Sequence, residues 1–290
     1  MSLEMQSQNV AVNGGSTTFT FNDDIQQFLA GIASFSLSYG DDDHYVEQIS
    51  ITLNANKPSS KIVTVGANAI LKDASGHSID LNNSYVTVSV IAWTGSSQPA
   101  VLLSSPYTVQ NGNQSGNIPL PGSSDTILQA VLQGLYLNYS ATDHEVSAVS
   151  AAVGASQNQN QGFISASAFM FDASGNEAVN PTATSALIAT TLPDPGFVVA
   201  TFQGQSADAV SIPMPAPITA AVSFLTGFQA KYPSSDHYIQ TIGAGPNVTN
   251  VSDPNHARTS GVWAWMNDIN GHSQDSNSSF ASIVVVGLTA

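Results

Sequence analysis

The sequence contains no cysteine, which excludes disulfide scaffolds, thiolate zinc sites and a cysteine nucleophile. Basic residues are scarce as well: five Lys and Arg stand against twenty Asp and Glu, a formal net charge of −15. Without cations to neutralise phosphates, the chain makes nucleic acid and anionic membrane surfaces poor partners. No apolar run approaches the roughly 20 residues that a membrane-spanning helix needs. Residues 1–10 carry neither a basic nor an apolar stretch, so no signal peptide is expected from them. Charged residues of both signs make up only 9% of the chain, against roughly 25% in an average domain. Apolar residues, at 42%, still suffice for a core, and 290 residues suggest two or three domains.

Self-similarity organises what is there. Tyr39, Asp43, His44, Val46 and Ile49 return as Tyr139, Asp143, His144, Val146 and Val149, and again as Tyr232, Asp236, His237, Ile239 and Ile242. Chance predicts about 0.01 copies of Tyr-x3-Asp-His in a chain of this composition, so three copies are a repeat. The match extends upstream through the apolar runs from Ile25, Ile127 and Ile218, with Gly134 and Gly227 matching Ser34. Downstream it extends through Asp73-Ala-Ser-Gly76, Asp172-Ala-Ser-Gly175 and Asp268-Ile-Asn-Gly271. Three domains over 1–95, 96–194 and 195–290 follow.

Within each unit the hydrophobic period is two. Val63 to Ala69 and Tyr85 to Ile91 alternate and are rich in β-branched residues, as half-buried strands require. The Asp-x-x-Gly segments read as type I turns. The Pro-rich stretch Ile212–Pro217 suits an edge strand or extended chain, and Ile25 to Ile32 is compatible with a strand or a short helix. Five or six strands per unit predict an all-β chain of three tandem antiparallel β-sandwich repeats. Units of this size are marginal alone, so they are expected to pack on one another, as a pseudo-trimer about a threefold axis.

The Asp-His pairs Asp43/His44, Asp143/His144 and Asp236/His237 admit a structural reading, with Asp holding turn N–H groups and His bridging to a neighbour. They also admit a metal reading: imidazole and carboxylate suit zinc or manganese, and the Asp-rich loops place calcium ahead of zinc. A catalytic dyad is disfavoured, because neither Gly-x-Ser-x-Gly nor His-Glu-x-x-His occurs. Repetition favours multivalent binding, for which His77, His272, Asn176, Tyr85 and Trp93 are ligand-contact candidates. Trp263 and Trp265 share one strand face and read mainly as core. Six Asn-x-Ser/Thr triplets, at Asn82, Asn113, Asn138, Asn247, Asn250 and Asn277, are expected in a chain so rich in these residues.

The order of elements from Phe35 through Ile49–Thr52, the Val63–Leu71 strand, Ser75-Gly76 and Val88–Ala92 resembles the H-type lectin domain. That resemblance implies a six-stranded antiparallel sandwich that trimerises and binds N-acetylgalactosamine-like sugars. The Asp-His pair is not part of that family's pattern, and no sugar-binding residue carries over. The expectation is therefore a non-enzymatic, lectin-like, multivalent carbohydrate-binding protein, with calcium as the candidate ion and surface glycans as partners. The alternative is a structural or self-assembly protein of a virion or cell surface. The absence of Cys and the scarcity of Lys point towards a bacterial or phage surface.

Overall fold

In the computed structural model, residues 2–96, 100–246 and 249–289 are described; of the positions singled out above, Asn247 lies outside them. The described residues form strands and no helix. Period-two alternation does what the sequence suggests: along Ile62–Lys72, Val63, Val65, Ala67, Ala69 and Leu71 are buried while their neighbours face outwards. Ile25 to Ile32 is strand, the first half of Ile25–Ser38. The helix alternative arose because Leu29 to Ser38 is buried on both faces, and a strand covered on both sides shows no alternation.

The first segment contributes β1 (Ser2–Val10), β2 (Ser16–Thr20), β3 (Ile25–Ser38), β4 (Gln48–Ser59), β5 (Ile62–Lys72) and β6 (Tyr85–Thr94). The second contributes β7 (Val101–Leu103), β8 (Tyr107–Gln110), β9 (Ile118–Pro119), β10 (Ile127–Asn138), β11 (Ala148–Asn158), β12 (Gln161–Phe171) and β13 (Thr182–Thr190). The third contributes β14 (Phe197–Gly204), β15 (Val210–Pro213), β16 (Ile218–Lys231), β17 (Thr241–Ala244), β18 (Thr249–Asp253), β19 (His256–Thr259), β20 (Ala264–Asn267) and β21 (Phe280–Thr289). All pairings between these strands are antiparallel.

The sheets cross the segment boundaries. One runs β1-β6-β3-β17-β20, joining the first and third segments. A second runs β2-β5-β4-β10-β13-β7, with β8 also on β13, joining the first and second. A third runs β14-β21-β16-β11-β12-β9, joining the second and third. A small sheet, β15-β19-β18, completes the set, with the Pro-containing β15 at its edge. Each join uses the same kind of strand: β4 on β10, β11 on β16, and β17 on β3.

A register shift falls at one place in the three central strands, between Ile32 and Ser34, Leu132 and Gly134, and Leu225 and Gly227. The larger apolar cluster runs through all three segments. A second cluster draws Leu29, Trp93, Val131, Ile188, Phe224 and Val286, among others, from strands of every segment. It is a core shared between segments, which ties their stabilities together.

Candidate functional site

The repeated Tyr-x3-Asp-His residues occupy the loop after each central strand, β3, β10 or β16. There the backbone closes a ring across the segments. His44 pairs with Ile239, Val46 with His144, and Val146 with His237, each through two N–H···O bonds of 2.9–3.1 Å. Three short bridges thus hold one loop of each segment to the other two. Tyr39, Tyr139 and Tyr232 are buried beneath this ring, and each meets its own histidine edge to face at 4.7–4.9 Å. The Tyr39 and Tyr232 hydroxyls donate to the carbonyls of Tyr45 and Tyr238. Burial first, then nearby carboxylates, pushes all three phenols far above their usual range, so they stay protonated.

The second component is the Asp-x-x-Gly turn. Asp73 accepts the N–H groups of Gly76 and His77 at 2.8 Å through Oδ1. Asp172 does the same for Asn176, and Asp268 for Asn270 and His272. The glycines adopt φ of 107°, 92° and 88°, a conformation that a side chain would strain.

The other oxygen, Oδ2, is the hub. It lies 2.7 Å from His77 Nδ1 and 3.6 Å from His44 Nδ1 in the first segment. The corresponding distances are 2.6 Å to His272 and 3.6 Å to His237 in the third. In the second segment Asp172 meets His144 Nδ1 at 3.3 Å and the Asn176 amide at 2.5 Å. Burial pushes the three carboxyls up, but the donors around them win. Asp73 is held down to about 2, chiefly by His77, Ser75 and the turn N–H groups. Asp172 and Asp268 are lowered in the same way, by Asn176 and by His272. All three are carboxylates at neutral pH.

The structure separates the residues that are adjacent in sequence. His44, His144 and His237 turn to the Asp of their own segment. Asp43, Asp143 and Asp236 instead accept a turn N–H from another segment: Ile269, Ala74 and Ala173, each at 3.2 Å. Asp43 and His44 therefore do not act as one ligand pair, and the same holds for the other two copies. His77, Asn176 and His272 join the clusters, as their place after the turn glycine suggested. Tyr85 and Trp93 do not: Tyr85 is half-buried at the start of β6, and Trp93 is 3% exposed in the core shared between segments. Trp263 and Trp265 form a half-buried pair 5.0 Å apart, away from the ring.

Sequence reasoning missed two features. From sequence the Asp-x-x-Gly aspartate is expected as a turn former and a calcium ligand, not as the partner of the Asp-His histidine, although it follows that histidine by 28 to 31 residues in every copy. The residue after each histidine, Tyr45, Glu145 or Tyr238, was not singled out. Tyr238 packs edge to face on Tyr45 at 4.7 Å and donates to its hydroxyl; that bond leads the causes that push the Tyr238 phenol up to about 12. Glu145 is raised by burial and then by the Asp236 carboxylate. Beside them an open cleft of about 490 Å³ is lined by Tyr45, Asp143, His144, Glu145, Asp172 and Asn176, among others.

No protein-family model matches the chain, and no curated protein matches it either. The lectin resemblance thus gains no support from these comparisons.

Proposed function

We propose that the chain is three tandem β-sandwich modules, 1–95, 96–194 and 195–290, closed into a covalent pseudo-trimer, and that it is a non-enzymatic, multivalent glycan-binding protein. The module reading is supported by the register shifts at matching positions in β3, β10 and β16. The cyclic strand pairings and the closed ring of bridges support it as well.

One observation carries the functional reading: the same cluster, a buried carboxylate with a half-buried imidazole and a solvent-facing imidazole or amide, recurs in each segment. Sugar hydroxyls donate to carboxylates and accept from amide and imidazole N–H groups, and an aromatic face such as Tyr45 suits the C–H side of a pyranose. A millimolar site is worth only about 4 kcal/mol, so linking three raises avidity by roughly 10²–10⁴. Catalysis is the weaker reading. Ser75 Oγ lies 2.9 Å from His77 Nδ1, the same nitrogen that faces Asp73, whereas a triad needs opposite ring nitrogens for the two partners.

A labelled intact chain on a glycan array, with and without calcium, tests this. Binding to one class of glycan is expected, with at least a tenfold loss in the triple variant His77→Ala, Asn176→Ala, His272→Ala. A blank array, or binding untouched by the triple variant, sinks the reading and favours the assembly protein.

A further inference from the structure

Five of the six histidines surround the repeated turns, and four of them are paired. His44 stacks on His77 with ring centroids 3.9 Å apart, and His237 on His272 at 4.1 Å. Each pair presents Nδ1 to the same buried carboxylate oxygen, and the three candidate ligand atoms lie within 4.8 Å of one another in each cluster. We propose that His44, Asp73 and His77, and separately His237, Asp268 and His272, are two sites for a zinc-type divalent cation. The proposal does not rest on glycan binding.

The donor set decides the class of metal. Two imidazoles and one carboxylate suit zinc and its neighbours, whereas calcium takes six to eight oxygens. In a tetrahedral zinc site, ligands at about 2.0–2.1 Å from the metal lie roughly 3.4 Å apart. The carboxylate–histidine pairs at 2.6–2.7 Å must therefore open by about 0.7 Å, while the separations above 3.4 Å, none wider than 4.8 Å, must close.

The partners that must move are the ones able to move. His77 and His272 have side chains 58% and 53% exposed, on turns, whereas His44 and His237 are 20% and 19% exposed, in the bridge ring and against a buried tyrosine. One side of each site is thus pre-placed, and the exposed ring of His77 or His272 rotates out of its stack to bring its in-plane lone pair onto the ion. The proton that His77 or His272 directs at the carboxylate shifts to Nε2 as Nδ1 takes the metal. A fourth position stays open to water. The second segment supplies an internal control, because Asn176 stands where the others have the second histidine, and its amide offers a zinc-type ion only a weak neutral oxygen in place of an imidazole nitrogen.

The test is a zinc titration of untagged, EDTA-treated and dialysed chain, read by calorimetry, with cobalt absorption reporting tetrahedral geometry. Two zinc sites are expected for the native chain, one for His77→Asn, none for His77→Asn with His272→Asn, and three for Asn176→His. His77→Asn installs what the second segment already tolerates, so the fold is retained, and Asn176→His reads a gain rather than a loss. A stoichiometry that does not follow these substitutions, or no zinc bound at all, overturns the proposal. A chain blank on glycans but binding zinc in this pattern separates this proposal from the glycan reading.

Discussion

The turn aspartates show how a single buried carboxylate is held ionised. Asp172 is 6% exposed, which raises its pKa, yet the Asn176 amide and turn N–H groups, with His144 behind them, lower it below the usual 3.8. Hydrogen bonds to a charged group are worth about 1.5–3 kcal/mol, so Asp172→Asn is expected to destabilise the chain by about 1–3 kcal/mol at pH 7. The sign with pH follows from the direction of the shift. A carboxyl whose folded pKa is depressed contributes stability above its unfolded pKa and loses it as pH falls through the folded value. The stability gap between native chain and Asp172→Asn is therefore expected to narrow steadily below about pH 4. Denaturant melts across that range check it; a gap independent of pH would show that the ionised form is not what the turn requires.

At the scale of elements, β10 and β16 need glycine where they meet the neighbouring segment. A Cβ on Gly134 would lie 2.5 Å from the Ile51 carbonyl oxygen, and one on Gly227 would lie 2.6 Å from the Ala152 methyl. The first segment solves the same contact differently. It carries Ser34, and its partner supplies Gly245, whose Cβ would sit 2.4 Å from the Ala33 carbonyl oxygen. Gly134→Val is expected to cost about 2–3 kcal/mol through overpacking. Ser34→Ala should be neutral or stabilising, because the buried Ser34 Oγ has no hydrogen-bond partner among the described residues. Equilibrium unfolding of both variants distinguishes a close strand approach from a flexible joint, which would tolerate valine.

This level is also where the sequence was partly legible. The half-buried β5 and β12 announce themselves by alternation. The doubly buried β3 does not, and Trp93 on β6 was placed at a ligand site because nothing in a strand's sequence says which buried face meets another segment. The Asp-x-x-Gly-His spacing was visible in the residues. The second histidine or amide was within reach of that spacing, but the first histidine of each cluster was not, since it comes from a loop 28 to 31 residues upstream.

For the molecule as a whole, the question is whether the segments fold as separate units or as one. Segments of this length bury little apolar surface alone. Here three of the four sheets are each completed by strands from two segments, and Leu29, Val131 and Phe224 meet in a cluster that belongs to all three. Gly31 marks how closely they approach: a Cβ there would lie 2.6 Å from the Phe224 ring and 3.3 Å from Val131. Opening one segment would therefore uncover strand edges and apolar side chains on both others, a state costly enough to be scarcely populated. The intact chain is expected to melt in a single transition with equal calorimetric and van't Hoff enthalpies. Gly134→Val should lower that one transition as a unit. If the segments were beads on a string, the same substitution would split off an early transition of roughly one third of the enthalpy and leave the rest in place. Differential scanning calorimetry of the two proteins decides between these outcomes, and a split trace would remove the pseudo-trimer as a cooperative unit.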